Sequence, residues 1–185
     1  MAEEIFDIVN EADEIIGTET RSNAHAKGLR HRAVHVLFMT PAREIILQRR
    51  SMTKDTWPGF LTVTVGGHVP SGSTYDETVL TEIFEETGLR LQRDALQHIG
   101  DLRYEARDPQ TKAHDCENVR VYVHIYDGDI SDLRIEEKDG AGFETRPIET
   151  LLAMSPEEQA QSNIVPVLFS AEHYRPLYPK IQALI

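Results

Sequence analysis

The stretch from Gly66 to Leu89, GGHVPSGSTYDETVLTEIFEETGL, constrains this chain most, because it sets a glycine-broken loop directly before a helix with one carboxylate face. Gly66, Gly67, Pro70, Ser71 and Gly72 mark the loop. The spacing of Val79 and Ile83 predicts the helix, and Gly88 stands where a helix ends in the left-handed conformation that glycine adopts cheaply. Glu82, Glu85 and Glu86 fall at i, i+3 and i+4, within an arc of roughly 100°. Val79, Leu80, Ile83 and Phe84 cover an adjoining apolar arc turned toward a core. Most glutamate faces of helices are simply solvated. Here Glu85 and Glu86 sit near the end of the helix, where the macrodipole disfavours anions, and the three charges repel one another. A hard cation such as Mg²⁺ or Mn²⁺, which takes oxygen ligands and keeps several waters, removes that repulsion.

A chain of 185 residues with 40% hydrophobic composition can bury one good core, and neither a repeat nor a low-complexity linker divides it, so residues 1–185 are expected to form one domain. The net charge of −12, from 31 acidic against 19 basic residues, argues against a nucleic-acid polymer or an anionic membrane as the main partner. Cys116 is the only cysteine, which excludes an intrachain disulfide and a multi-thiolate zinc site. The acidic N-terminus lacks the pattern of a signal peptide, and no apolar run approaches the ~20 residues of a membrane span. A cytoplasmic protein is expected.

Taken in order, residues 4 to 17 read as a hairpin around Asn10 to Asp13, and Ser22 to Lys27 as a polar connection holding His25. Ala33 to Thr40 and Glu44 to Arg49 read as central strands joined by a Pro41 turn. Phe60 to Val65 is a strand running into Gly66. Strands follow near Leu96 to Tyr104 and Asn118 to Tyr126, separated by a polar loop from Ala106 to Cys116, with a short strand at Gly140 to Arg146. Pro147 suits the first turn of a helix through Met154, Ser155-Pro156-Glu157-Glu158 has the form of a capping box, and the tail from Ser162 is helical in part. Strands before and after a central helix, with helices at the end, predict an α/β (α+β) sandwich. Arg49, Arg50 and Lys54 precede the glutamate helix on one segment. They are either solvated or a diphosphate clamp, in which arginines give bidentate contacts and the lysine a point charge.

The glycine loop and glutamate helix resemble the Nudix box, G-x5-E-x7-R-E-U-x-E-E-x-G-U, through Gly67, Glu82, Ile83, Glu85, Glu86, Gly88 and Leu89, so that the box spans 67–89. Two positions depart: Ser73 replaces the loop glutamate, and Thr81 replaces the arginine that braces the cluster. The resemblance implies an α/β/α sandwich with a mixed central sheet and a MutT-like, metal-dependent hydrolase of a diphosphate bond in a nucleoside diphosphate or nucleoside diphosphate-linked small molecule. Glu82, Glu85 and Glu86 would hold Mg²⁺ (or Mn²⁺), Glu86 or Glu117 would act as base, and Arg49, Arg50, Lys54, Gly67 and His68 would bind the substrate. Homodimerisation is left open. The run from Gly28 to Gly59, with GGHV after it, is similar to the branch related to isopentenyl diphosphate isomerase. In that branch histidines bind metal; His31 and His68 match, and His25 matches with a one-residue gap, the alternative being hydrogen-bonded structural histidines. A cysteine essential to the isomerase stands where this chain has Gly66. The alternatives are therefore an isomerase-like enzyme and a weakened module that binds a nucleotide without turning it over.

Overall fold

A computed structural model describes residues 3–54, 57–107, 114–135, 140–170 and 172–184. β1 (Ile5–Val9) and β2 (Ile15–Thr20) form an antiparallel hairpin. The segment expected to be a polar connection is instead a short helix, α1 (Arg21–Lys27), closed by Gly28 at φ 62°. Only Ala24 is buried in it, packed with Phe6 and Ile8. A single buried residue leaves no apolar periodicity to read, which is why the helix is invisible in the sequence.

β3 (His31–Met39) and β4 (Glu44–Arg50) follow, then β5 (Leu61–Thr62) and β6 (Val65–His68). The single strand expected over Phe60–Val65 is thus divided, because β5 pairs with β4 while β6 crosses to pair with β3. Thr64 sits at the division. Its buried hydroxyl accepts from Phe38 N at 2.8 Å and donates to Ile46 O, filling the gap where β3 and β4 separate. After α2 (Tyr75–Thr87) come β7 (Gln97–Arg107), β8 (His114–Ile125) and β9 (Gly140–Pro147). β7 and β8 both reach into the polar loop expected between them, leaving 108–113 outside the described residues. Three short helices close the chain: α3 (Ile148–Ala153), α4 (Pro156–Gln161) with the expected capping box, and α5 (Tyr178–Gln182).

β3 is the hub. One edge carries β8 in parallel from His31 to Met39; the other is shared by β6 at Ala33–Val36 and β4 at Phe38–Met39. Paired residues share a face. On one face Val34, Val36 and Phe38 pack with Val65, Val79 and Ile83, so α2 covers that side; on the other Leu37 and Met39 pack with Val121, Val123, Ile164, Leu168 and Ile181 of the C-terminal segment. The result is the expected α/β/α sandwich with a mixed sheet. Among the described residues no helix is long and apolar enough to cross a membrane.

α2 begins with Thr74, whose side chain accepts from Glu77 N while Glu77 reaches back to Thr74 N, and it ends with Gly88 at φ 75°, whose N–H bonds Phe84 O. Phe84, expected in the core-facing arc, lies instead at the surface under the Arg90 guanidinium, 3.8 Å from its ring centroid. Tyr75, Val79 and Ile83, with Leu80 beside them, seat the helix there. The loop before α2 is tied to the N-terminal hairpin: Asp7 accepts from Ser71 Oγ at 2.6 Å and from Gly72 N at 3.2 Å.

Replacing Thr64 by Val keeps shape but leaves the Phe38 N–H without its acceptor. We expect Thr64→Val to lower the urea midpoint by an amount equivalent to about 1–3 kcal/mol with an unchanged slope. An unaltered midpoint would show that the divided strand does not depend on this hydroxyl.

Candidate functional site

Register decides which side chains meet. His31 faces Glu117 across β3 and β8, Ala33 faces His68 and His35 faces Gly66 across β3 and β6. All therefore project from one side of the sheet, at the end of β3 where the apolar layer stops, and α1 delivers His25 above them. All but the fully buried His31 line a cleft of about 950 Å³ that also receives Glu82, Glu85 and Glu86 from α2, Gln48 and Arg50 from β4, and Lys54 and Trp57 from the loop that follows.

The densest group is His25, His31 and His68, whose candidate ligand atoms all lie within 4.8 Å of one another. Phe6 stacks on two of them, 4.8 Å from the rings of both His31 and His68. His31 Nδ1 donates to Leu29 O at 2.8 Å, so its Nε2 carries a lone pair toward the group. That Nε2 and the Nε2 of His25 are both buried without a hydrogen-bond partner among the described residues. His68 is differently placed. Arg21 Nη1 donates to its Nδ1 at 2.8 Å, so its proton sits on Nε2 and points at Glu117 Oε1, 3.1 Å away.

Electrostatics agrees with this picture. Burial, with His68 and His31 close by, drives the His25 imidazole down to about 3; burial, opposed by Glu117, takes His68 down to about 4. Both are neutral near pH 7. Burial raises the Glu117 carboxyl, but the hydrogen bond from His68 opposes it, and the carboxyl is held below the usual carboxylate range. His35 is lowered by burial as well. Buried, unpartnered imidazole nitrogens beside a buried carboxylate suit a divalent transition metal. The residues present fit such an ion.

The glutamates are distributed more widely. Glu82 lies over Gly67, where an added Cβ would fall 2.2 Å from its Cδ, so any side chain there would displace the Glu82 carboxylate. Glu86 is buried and accepts from Gln48 Nε2 at 2.7 Å, whereas Glu85 is exposed. Among the described residues it is the histidines, and not these three carboxylates, that stand close enough together to surround one ion.

Of the expected basic clamp, Arg50 and Lys54 line the cleft. Arg49 does not: strand alternation sends it to the opposite face, where it pairs with Glu144 and donates to Gly59 O at 2.9 Å. Thr81 does not replace the bracing arginine, since its hydroxyl donates to Glu77 O one turn back. Gln48 does brace Glu86, and only strand alternation, placing it beside Arg50, hints at that in the sequence. Cys116 is buried and free.

The NUDIX domain family model matches residues 29–168. An uncharacterized Nudix hydrolase of Streptomyces coelicolor is 42% identical over 87 residues, which are 47% of this chain and 48% of that protein; the chain spans about half the length of this relative. The crystal structure of DR0079 from Deinococcus radiodurans superposes with a TM-score of 0.65 at 30% identity, covering 81% of this chain and 87% of that one. The Nudix domain of Shewanella oneidensis NrtR, solved in complex with ADP ribose, superposes with a TM-score of 0.56 at 13% identity, covering 90% of this chain and 100% of that one, a likeness of fold alone.

Two outcomes follow from the histidine group. The depressed histidines leave stability intact above their ordinary value of 6.5; below it the unfolded chain binds protons first, so stability falls as pH drops toward 4. The urea midpoint of the metal-free protein should be lower at about pH 5 than at about pH 7.5, and this difference should shrink in His25→Gln/His68→Gln. An equal difference in the double variant removes these residues from the effect. Secondly, Arg21 holds His68 in the tautomer whose Nε2 is protonated, and it adds a positive charge beside the ligand set. Arg21→Ala should bind Mn²⁺ or Zn²⁺ more tightly, by about tenfold on the scale of one charge-assisted hydrogen bond. Weaker binding in a calorimetric titration would contradict the assignment.

Proposed function

The chain belongs to the NUDIX-domain family, and on that premise we propose that residues 1–185 form one catalytic domain, a metal-dependent hydrolase of a diphosphate bond in a nucleoside diphosphate or nucleoside diphosphate-linked small molecule. The observation that carries this reading is the joining, in one cleft, of the box carboxylates Glu82, Glu85 and Glu86 with Glu117 and with the cations Arg50 and Lys54. An anionic substrate needs the cations, and oxygen ligands such as these carboxylates suit a hard divalent ion.

Glu82, Glu85 and Glu86, once drawn together, would hold Mg²⁺ or Mn²⁺, or His25, His31, Glu117 and a His68 freed of its Nε2 proton would hold a transition metal; either ion would supply charge for the diphosphate and acidity for water. The remaining work falls to the protein. Arg50 and Lys54 draw the diphosphate in and orient it. Gln48 holds one oxygen of Glu86, fixing the carboxylate as a base that takes a proton from attacking water. Glu117, ionised by its histidine neighbours, is the second candidate for that role.

One observation favours a second reading. The gathering of three histidines and Glu117 is the arrangement implied by likeness to the isopentenyl diphosphate isomerase branch. Moving a proton across an allylic carbon needs a donor and an acceptor on opposite faces of the substrate, and Gly66 offers no side chain for one of them. Hydrolysis needs a single base, so it is the reading we adopt.

Glu86→Gln and Glu85→Gln should each lower hydrolysis of a diphosphate panel, ADP ribose included, by about a hundredfold or more with Mg²⁺ or Mn²⁺ while the melting temperature is kept. Near-normal turnover in both would remove the box glutamates from the chemistry. Proton NMR of isopentenyl diphosphate incubated with the protein should show no dimethylallyl product; its appearance would favour the isomerase instead.

A further inference from the structure

β3 brings one more imidazole to the cleft, His35. It stands opposite Gly66, and a Cβ added to Gly66 would lie 3.4 Å from His35 Cδ2 and 3.8 Å from its Nε2. The Nε2 edge of the ring therefore borders the space beside Gly66. The other edge is anchored, with Nδ1 2.9 Å from the hydroxyl of Tyr174 in the segment before α5.

Tyr174 is fully buried, and among the described residues His35 Nδ1 is the hydrogen-bond partner of its hydroxyl. The direction of that bond follows from its surroundings. A buried hydroxyl that accepted from Nδ1 would leave its own hydrogen unpaired, at a cost of about 1–3 kcal/mol, so Tyr174 donates and Nδ1 accepts. A neutral imidazole carries a single proton, which must then lie on Nε2. The hydrogen bond that the ring makes to the described residues is the one on Nδ1, and the residue lines the cleft. His35 thus differs in kind from His31, which turns a lone pair toward its neighbours. His31 can ligate a cation, whereas His35 offers a hydrogen.

We propose that His35, set in one tautomer by Tyr174, is a substrate-contacting residue whose Nε2–H donates to a phosphoryl oxygen of the diphosphate in the space beside Gly66. The inference rests on the diphosphate reading given above. A donor with no lone pair on its open side calls for an acceptor, and with Arg50 and Lys54 on the same cleft the acceptor is an anionic oxygen. The protonated nitrogen also keeps this part of the cleft from binding a cation. Charge is thereby sorted along one strand, the metal side at His31 and the phosphoryl side at His35.

The test is calorimetric titration with inorganic pyrophosphate and Mg²⁺ of the full chain and of His35→Leu, His35→Gln and Tyr174→Phe, with nitrogen-15 NMR of the His35 ring. His35→Leu should bind about tenfold more weakly or worse, the range of one hydrogen bond to a charged group. His35→Gln, which keeps an N–H, should recover most of that affinity. Tyr174→Phe should weaken binding severalfold and move part of the His35 proton to Nδ1, a change that loss of packing alone does not produce. Unchanged affinity in His35→Leu, or an Nδ1–H ring in the unmodified protein, overturns the assignment while cleavage of any diphosphate leaves the hydrolase reading standing. If the unmodified protein neither binds pyrophosphate nor cleaves a diphosphate, both fall. Should His35→Leu fail to fold, His35→Gln, Tyr174→Phe and the ring tautomer decide the matter.

Discussion

A carboxylate buried as deeply as Glu117 is costly unless donors surround it, and the architecture of the site answers that need. β3 runs beside it in parallel and supplies His31; β6, on the other edge of β3, supplies His68; α1 closes over the top with His25 and Arg21. Arg21 reaches Glu117 only through His68, which it holds in the donating tautomer. Arg30 adds a hydrogen bond to the Glu117 carbonyl at 3.2 Å. Glu3, Glu4 and α1 thus line one wall of the cleft, although all precede the segment that the family pattern covers.

The two departures from the Nudix box have local consequences that the rest of the chain meets. Where Ser73 leaves the loop without its glutamate, Asp7 arrives from β1 and accepts from Ser71 and Gly72. Where Thr81 leaves the carboxylate face without its arginine, Gln48 donates to Glu86 from β4. The replacement is not equivalent. A neutral amide orients Glu86 without bringing the charge that an arginine would.

Much of this was legible in the sequence. The glycine loop, the helix after it, its end at Gly88, the hairpin and the central strands all follow from turn chemistry and apolar spacing, signals that are local. The α1 helix escaped because one alanine is all it buries. The division between β5 and β6 escaped because it depends on a tertiary hydrogen bond from Thr64, and Phe84 misled because an aromatic residue on a helix can cover itself with an arginine as readily as with a core. Within the site, the box glutamates and Glu117 were visible as motif and strand position. The closeness of His25, His31 and His68 was implied only by the likeness to the isomerase branch, since it depends on register between strands remote in sequence, and Arg49 was assigned to the cleft when alternation along β4 turns it away.

The parallel pairing of β3 with β8 also orders events in time. A parallel neighbour needs a long crossover, and here the crossover contains β4, β5, β6, α2 and β7. During synthesis, His25, His31 and His68 all leave the ribosome well before Glu117, so the imidazoles wait in an unfinished sheet whose hub strand still has one open edge. High contact order of this kind slows folding, since the loop entropy is lost before the pairing is gained. The same strand that opens the cleft is thus among the last to enter the sheet, and the site comes into being as the fold is completed.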